Sequence, residues 1–178
     1  KAWQHFKTIT HHKWVVCQGC FRVGLYWQGL THDLSKYSPS EFMVGVKYYQ
    51  GNRSPNNAER EVIGYSSAWL HHKGRNKHHY EYWIDYSSRA MKSGSVMEPA
   101  KMPTKYMVEM VIDRIAASKN YLKDQYTDDC PLQYLESAKD VSMIHKETYR
   151  QLHNLLKMLA DNGEEYTYQY IRKVILRK

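Results

Sequence analysis

Apolar residues recur every three or four positions through most of this chain, the spacing of one face of an α-helix. The first such run covers about residues 3 to 23, where His5, Ile9, His12, Val16, Gly19 and Val23 share a stripe. Ser38-Pro39-Ser40-Glu41 reads as a capping box with proline at the first helical position. It predicts a helix through Phe42, Val46 and Tyr49 that stops at Gly51. Ser54-Pro55 starts the next helix, which the pattern carries to Gly74. A short helix over about 79 to 88 follows, then a loop from Ser93 to Pro103. Pro103 opens a long helix to about Leu122. Further helices are predicted near 131 to 140, 146 to 162 (with Gly163 as stop) and 164 to 176. No alternating run reads as a strand, and no internal repeat is visible. The expected fold is all-α, a single compact domain over residues 1 to 178 with about seven or eight helices.

A histidine or carboxylate on an apolar face is informative, because burial demands a partner. On the first helix the stripe selects His12 over His11, which lies with Gln18 and Arg22; His5 is the alternative. Before Gly74, Ala58, Val62, Tyr65, Trp69 and His72 share a face, which selects His72 over His71. Beyond it, His79, Trp83 and Tyr86 repeat the spacing and favour His79 over His78. After Pro103, Tyr106, Met110, Asp113, Ala117 and Tyr121 share a face, with Glu109 nearer its edge. Asp113 on such a face suits a metal, or equally a salt bridge to lysine or arginine. Thr31-His32-Asp33-Leu34-Ser35-Lys36 adds an adjacent His-Asp pair, in which Thr31 or Asp33 would also serve as a helix cap.

His12, His32, Asp33, His72, His79 and Asp113 together form a nitrogen and oxygen donor set. Such a set suits one or two divalent transition-metal ions: iron, manganese, nickel, cobalt or zinc. Bonds of ~2.1 Å keep two ligands of one ion within ~4 Å of each other. On an unbroken helix His72 and His79 would stand ~10 Å apart. Sharing an ion therefore requires a break at Gly74-Arg75-Asn76. His12 and His32 likewise require a reversal at Gly24 or Gly29.

Charge narrows the partner. With 26 Lys+Arg against 18 Asp+Glu the net charge is +8, which suits an anionic partner, above all a phosphorylated small molecule. The cations are scattered, and the largest cluster, Lys73, Arg75 and Lys77, lies inside WLHHKGRNKHHYEYW. A solvated basic surface would look the same. Nucleic acid ranks behind a small substrate, because the basic residues line no single helix and no recognition motif is present. The three cysteines cannot all pair with one another, and Cys17 and Cys20 form a lone C-x-x-C inside a helix, read as packing. Reduced thiols and a cytoplasmic home are the simpler expectation. No apolar run approaches the ~20 residues of a membrane helix, so no membrane partner is expected.

The order of these residues resembles the HD-domain superfamily, all-α metal-dependent enzymes that are mostly phosphohydrolases; HDLSK resembles its HD-x-x-K form. Over about residues 10 to 160, HDLSKYSPSEF, AWLHHKGRNKHHYEYW and EMVIDRIAASKNY are similar to a bacterial and phage domain-of-unknown-function family. The superfamily resemblance implies that His12, His32, Asp33 and Asp113 hold one ion. It implies that His72 and His79 complete a second site, with Asp33 bridging. It further implies a metal-activated water that attacks a nucleotide or other small phosphoester. Asp33, Lys36 and Arg75 would act in catalysis, the last two on the phosphate, and Glu109 or Glu81 would orient a ligand histidine. The gap from His12 to His32, 20 residues by numbering, is shorter than in many HD proteins. Two other classes fit the same residues: a di-iron HD-like oxygenase, and a non-enzymatic basic helical module that binds nucleic acid or protein.

Overall fold

The computed structural model describes residues 1–87, 96–138 and 141–178, and eight α-helices lie among them. Helix α1 (Ala2–Val23) ends at Gly24 in the left-handed conformation, φ 83°, and turns the chain into α2 (Tyr26–Thr31). That turn supplies the reversal between His12 and His32. A 3₁₀ turn (Leu34–Tyr37) leads into α3 (Pro39–Tyr48), followed by α4 (Pro55–Ile63) and α5 (Ser67–Lys73). A second 3₁₀ turn (Tyr80–Trp83) runs into β1 (Ile84–Tyr86). This strand pairs antiparallel with β2 (Met97–Pro99), Asp85 opposite Glu98. Helices α6 (Thr104–Leu122), α7 (Cys130–Glu136) and α8 (Lys146–Tyr170) complete the set, with a π turn at Ile171–Ile175.

The core is built around α6. Its Met107, Val108, Val111, Ile112 and Ile115 are buried against Val16, Cys20 and Val23 of α1 and Leu152, Leu155, Leu156 and Leu159 of α8. Each large side chain contributes roughly 1.5–3 kcal/mol of burial free energy, so apolar packing fixes these three helices. Helix α5 is held differently, by polar contacts at its start. Ser66 Oγ accepts from the Trp69 N–H at 3.0 Å and donates to buried Glu59 at 2.6 Å, and Ser67 Oγ donates to the same carboxylate at 2.7 Å.

Four expectations change. The single helix predicted from Ser54 to Gly74 is two, because Gly64 takes φ 84° and leaves Val62 and Tyr65 exposed. The capping box does not form: Ser38 makes no side-chain cap bond, and Glu41 is buried and committed elsewhere. Residues 79 to 87 form turn and strand rather than helix, and β2 occupies part of the predicted loop. Strands of three residues are too short to show alternation. On α6 the buried face runs through Met107, Val111 and Ile115, and Asp113 lies at its edge. Residue 88, residues 93–95 and residues 139–140 of the predicted spans lie outside the described residues.

Other expectations hold. Gly163 breaks the last long helix where the stop was placed (φ 81°, ψ 172°). Cys20 lies in the core and the three cysteines are unpaired. No helix among the described residues is long and apolar enough to cross a membrane.

Gly19 lets α1 and α6 approach. A Cβ there would stand 2.6 Å from Ile112 Cγ2 and 3.0 Å from the Tyr168 hydroxyl. Overpacking of about 1–3 kcal/mol outweighs the ~1 kcal/mol of helix propensity that alanine gains. Gly19→Ala is expected to lower the melting midpoint by roughly 2–4 °C. Circular dichroism checks this, and an unchanged or higher midpoint would show that the two helices separate at little cost.

Candidate metal centre

Beside the apolar packing of α1 and α6, polar side chains converge from five segments. His12 comes from α1, and His32 and Asp33 from the end of α2. His72 comes from α5, His78 and His79 from the turn beyond it, and Asp113 from α6. Asp33 adopts φ 54°, ψ 24°, a left-handed conformation that few residues other than glycine take and that Asn and Asp tolerate best. Lys13 of α1 braces this turn, its ammonium donating to the carbonyls of Leu30 at 2.7 Å and His32 at 3.0 Å.

Asp33 divides the cluster into two groups. Its Oδ2 lies 3.6 Å from His12 Nε2 and 3.3 Å from His32 Nε2, and Asp113 Oδ1 lies 3.0 and 3.6 Å from the same two nitrogens. Its Oδ1 lies 3.2 Å from His72 Nε2 and 3.4 Å from His78 Nε2, and His72 Nε2 lies 2.9 Å from His79 Nε2. Within each group the donor atoms all lie within 4.8 Å of one another. Ligands at ~2.1 Å from one ion stand roughly 3–3.5 Å apart, so these spacings match shared coordination. Two imidazole nitrogens at 2.9 Å also need a proton or a cation between them.

Two further carboxylates orient the rings. Glu109 Oε1 accepts from Nδ1 of His32 at 2.9 Å and lies 3.2 Å from Nδ1 of His78. Glu41 accepts from Nδ1 of His72 at 2.8 Å and of His71 at 2.6 Å. Nδ1 thus carries the hydrogen, and Nε2 presents its lone pair to the cluster. His32 and His78 belong to different groups, so Glu109 ties the two together.

Chemistry at the centre argues for cations. His12 Nε2, His32 Nε2, His78 Nε2 and Asp33 Oδ1 are buried without a hydrogen-bond partner. Such atoms are rare and cost about 1–3 kcal/mol each. Here they all converge. The nearby carboxylates of Asp33, Asp113, Glu109 and Glu41 outnumber the one ammonium on Asp33, Lys36, whose Nζ lies 2.5 Å from Oδ2. A pair of divalent ions would satisfy the orphaned atoms and offset the charge, so the residues present fit such a pair.

Proton binding competes for the same atoms. Burial disfavours a charged His32, but Asp33, Asp113 and Glu109 overcome it and hold its pKa well above the ordinary value. Burial likewise opposes the charge on His72, and Asp33 and Glu41 still raise its pKa. Burial, with His78 and His72 beside it, pushes His79 well below, so His79 is neutral at pH 7. Raised pKa values leave protons on His32 and His72 near neutrality, and metal must displace them. Apparent affinity for Mn²⁺ is therefore expected to climb as pH rises above the ordinary imidazole value of about 6.5, with proton release on binding. Calorimetry in two buffers of different ionisation enthalpy measures this; affinity flat with rising pH would count against ligation by these imidazoles.

All six residues expected as ligands meet here. One was missed: His78, read as a neighbour of His79, is buried and enters the second group. Between α5 and Tyr80 the chain is not helical, so helical spacing cannot choose between adjacent residues, and both rings turn inward 4.2 Å apart. The break that His72 and His79 need is present, closed by Asn76, whose side chain donates to the His72 carbonyl at 2.8 Å. Arg75 does not join the cluster: it is exposed and donates to the carbonyl of His71 at 3.3 Å. Thr31 bonds back to the Trp27 carbonyl and Asp33 makes no cap bond, so neither caps a helix. Asp113 meets histidines rather than a lysine or arginine. His5 is buried beside Phe42 and Tyr49, outside both groups. Glu81 is half-buried, its pKa raised by burial; Glu109 and Glu41 are the carboxylates on the rings. Glu41 was hidden by its fit to a capping box.

Residues 1–158 match the model of a family of unknown function, DUF5662. No curated protein and no solved structure matches the chain.

Proposed function

The chain belongs to the DUF5662 family, and we propose that it is a metal-dependent phosphohydrolase acting on a nucleotide or other small phosphoester. The observation that carries this reading is the pair of buried donor groups joined through the two oxygens of Asp33. Ligand order along the chain, with HDLSK at its heart, supports an HD-domain-like centre. When bound, two divalent ions supply an acidified water and a Lewis acid for phosphoryl oxygens.

The chain's own residues do the rest. Asp33 spaces the two groups, and Glu109 and Glu41 fix the imidazoles in the metal-facing tautomer. Side chains of His32, Asp33, His72 and His78 are at most 2% exposed, whereas Asp113 is 16% and Lys36 28% exposed. The centre is therefore reached past Asp113, Lys36 and the partly exposed His79, and an ester arrives over that edge. Lys36 stands there as a point charge for a phosphoryl oxygen, and the net charge of +8 favours an anionic substrate.

The test begins with elemental analysis of protein purified without chelator, where one or two transition-metal ions per chain are expected. A phosphoester screen with Mn²⁺, Fe²⁺, Co²⁺ and Ni²⁺ should then release phosphate. Protein that takes up no metal on reconstitution refutes the centre. Metal-loaded protein that hydrolyses no ester but consumes oxygen with iron refutes the hydrolase and favours oxidation.

A further inference from the structure

The outer face of α1, turned away from the core, is aromatic. Trp3, Trp14 and Phe21 stand in line along it, about three and then two helical turns apart, over roughly 27 Å. Trp3 is 65% and Trp14 59% exposed. Helix α2 packs beside α1 through Gly29, where a Cβ would stand 3.0 Å from Cys20 Cβ and 3.2 Å from Phe21 Cδ2. Tyr26 meets Phe21 edge to face, centroids 5.1 Å apart, so the two helices form one surface. To it α2 adds Trp27, 73% exposed, and exposed Leu30. Tryptophan is on average a highly buried residue, yet three of the chain's five lie open here. An exposed apolar patch of this kind marks a docking surface.

Charge identifies what docks. Residues 1–32 hold Lys1, Lys7, Lys13 and Arg22 and no Asp or Glu, so neither α1 nor α2 carries a carboxylate. The next three carboxylates along the chain, Asp33, Glu41 and Glu59, are buried. Glu164 and Glu165 pair with Arg22 at one edge of the surface. At the turn between α1 and α2 the Lys178 ammonium donates to the Gly24 carbonyl at 2.6 Å, and the Lys178 N–H donates to the Arg172 carbonyl at 2.9 Å. Exposed cations of residues 172–178 therefore rim the same surface. Tryptophan and leucine flanked by cations match an anionic bilayer: the rings enter the acyl boundary and the cations meet lipid phosphates. A second copy on this face would oppose cations to cations. Single-stranded nucleic acid would stack bases on open rings, but Phe6 stacks on Trp3, Lys7 lies over the same ring, and Leu30 offers no ring. Lying on a bilayer requires no spanning helix.

We propose that the face formed by α1 and α2 docks on an anionic lipid surface, with Trp14 and Trp27 inserted at the acyl boundary. The proposal is independent of the hydrolase reading.

Cosedimentation of the full chain with vesicles makes the test. Vesicles of equal parts phosphatidylserine and phosphatidylcholine should bind at least about tenfold tighter than phosphatidylcholine alone, and added salt should weaken that binding. Trp14→Gln combined with Trp27→Gln should weaken it about a hundredfold, as expected for two rings no longer buried. Both side chains are exposed, so the melting midpoint and metal content of that variant should match the wild type. Tyr134→Gln, on the exposed face of α7, should bind like the wild type. Wild-type protein that stays in the supernatant with the mixed vesicles overturns the proposal. Equal binding to both vesicles overturns it too, as does binding undiminished in the double variant. Dimerisation or binding of a single-stranded oligonucleotide that the double variant abolishes, without vesicle binding by the wild type, reassigns the face and overturns it as well.

Discussion

Asp33→Asn is expected to fold and to lose the paired ions. Asparagine tolerates the left-handed backbone at φ 54° as well as aspartate does, so the turn after α2 survives. What is lost is one anionic oxygen for each donor group, the atoms that stand 3.3 Å from His32 and 3.2 Å from His72. Lys36 also loses its partner and adds an uncompensated positive charge beside the ions. Metal content should fall below one ion per chain. Removing an interaction worth several kcal/mol in the transition state should lower phosphate release by about a thousandfold. The fold itself gives a second readout. Excess metal at a hundred times its Kd should stabilise the wild type by ~2.7 kcal/mol, roughly 5–10 °C in melting midpoint, and should leave Asp33→Asn nearly unmoved. A variant that retains two ions, or is stabilised like the wild type, would remove Asp33 from the centre.

Glu109→Ala should produce the next largest effect, although Glu109 faces no ion in the proposed arrangement. Its single oxygen orients His32 of one group and His78 of the other. Without it both rings are free to turn or to take the other tautomer. Loss of such an orienting carboxylate typically costs 10–100-fold in metal affinity, and here both ions should weaken together. Glu41→Ala is the contrast. Glu41 holds His72 and the outlying His71, so only the group containing His72 and His79 should weaken. Metal titrations of the two variants should show two affected sites and one affected site respectively. Equal weakening of a single site in both would break the link that Glu109 is argued to make.

Long, uninterrupted elements were legible in the sequence. On α1 the stripe named His5, Ile9, His12, Val16, Gly19 and Val23, and all are buried, because nothing in 22 residues resets the helical phase. Where the chain turns, the phase is lost. The pattern through Val62 and Tyr65 to His72 ran across Gly64, yet His72 was still chosen, since Trp69 and His72 are three residues apart within α5 and keep their helical phase. His78 had no such protection. It lies past the end of α5, where local hydrogen bonds around Asn76 rather than periodicity aim the side chain. Glu41 shows a different limit. Two placements were available to one residue, and three-dimensional proximity to His71 and His72, thirty residues on, decided between them.

The donor residues are drawn from positions between 12 and 113, and Asp33 must meet partners from both ends of that span. Contacts so distant along the chain close late, after the entropic cost of the intervening loops has been met. Once they close, the carboxylates of the metal-free centre are offset by Lys36 and the surrounding imidazoles. In the proposed arrangement metal would enter a nearly finished fold and would act as a latch on the docked helices rather than as a seed for their assembly. The latch should show in kinetics. Chelation should speed unfolding while leaving the refolding rate of the apo chain close to that measured with metal present.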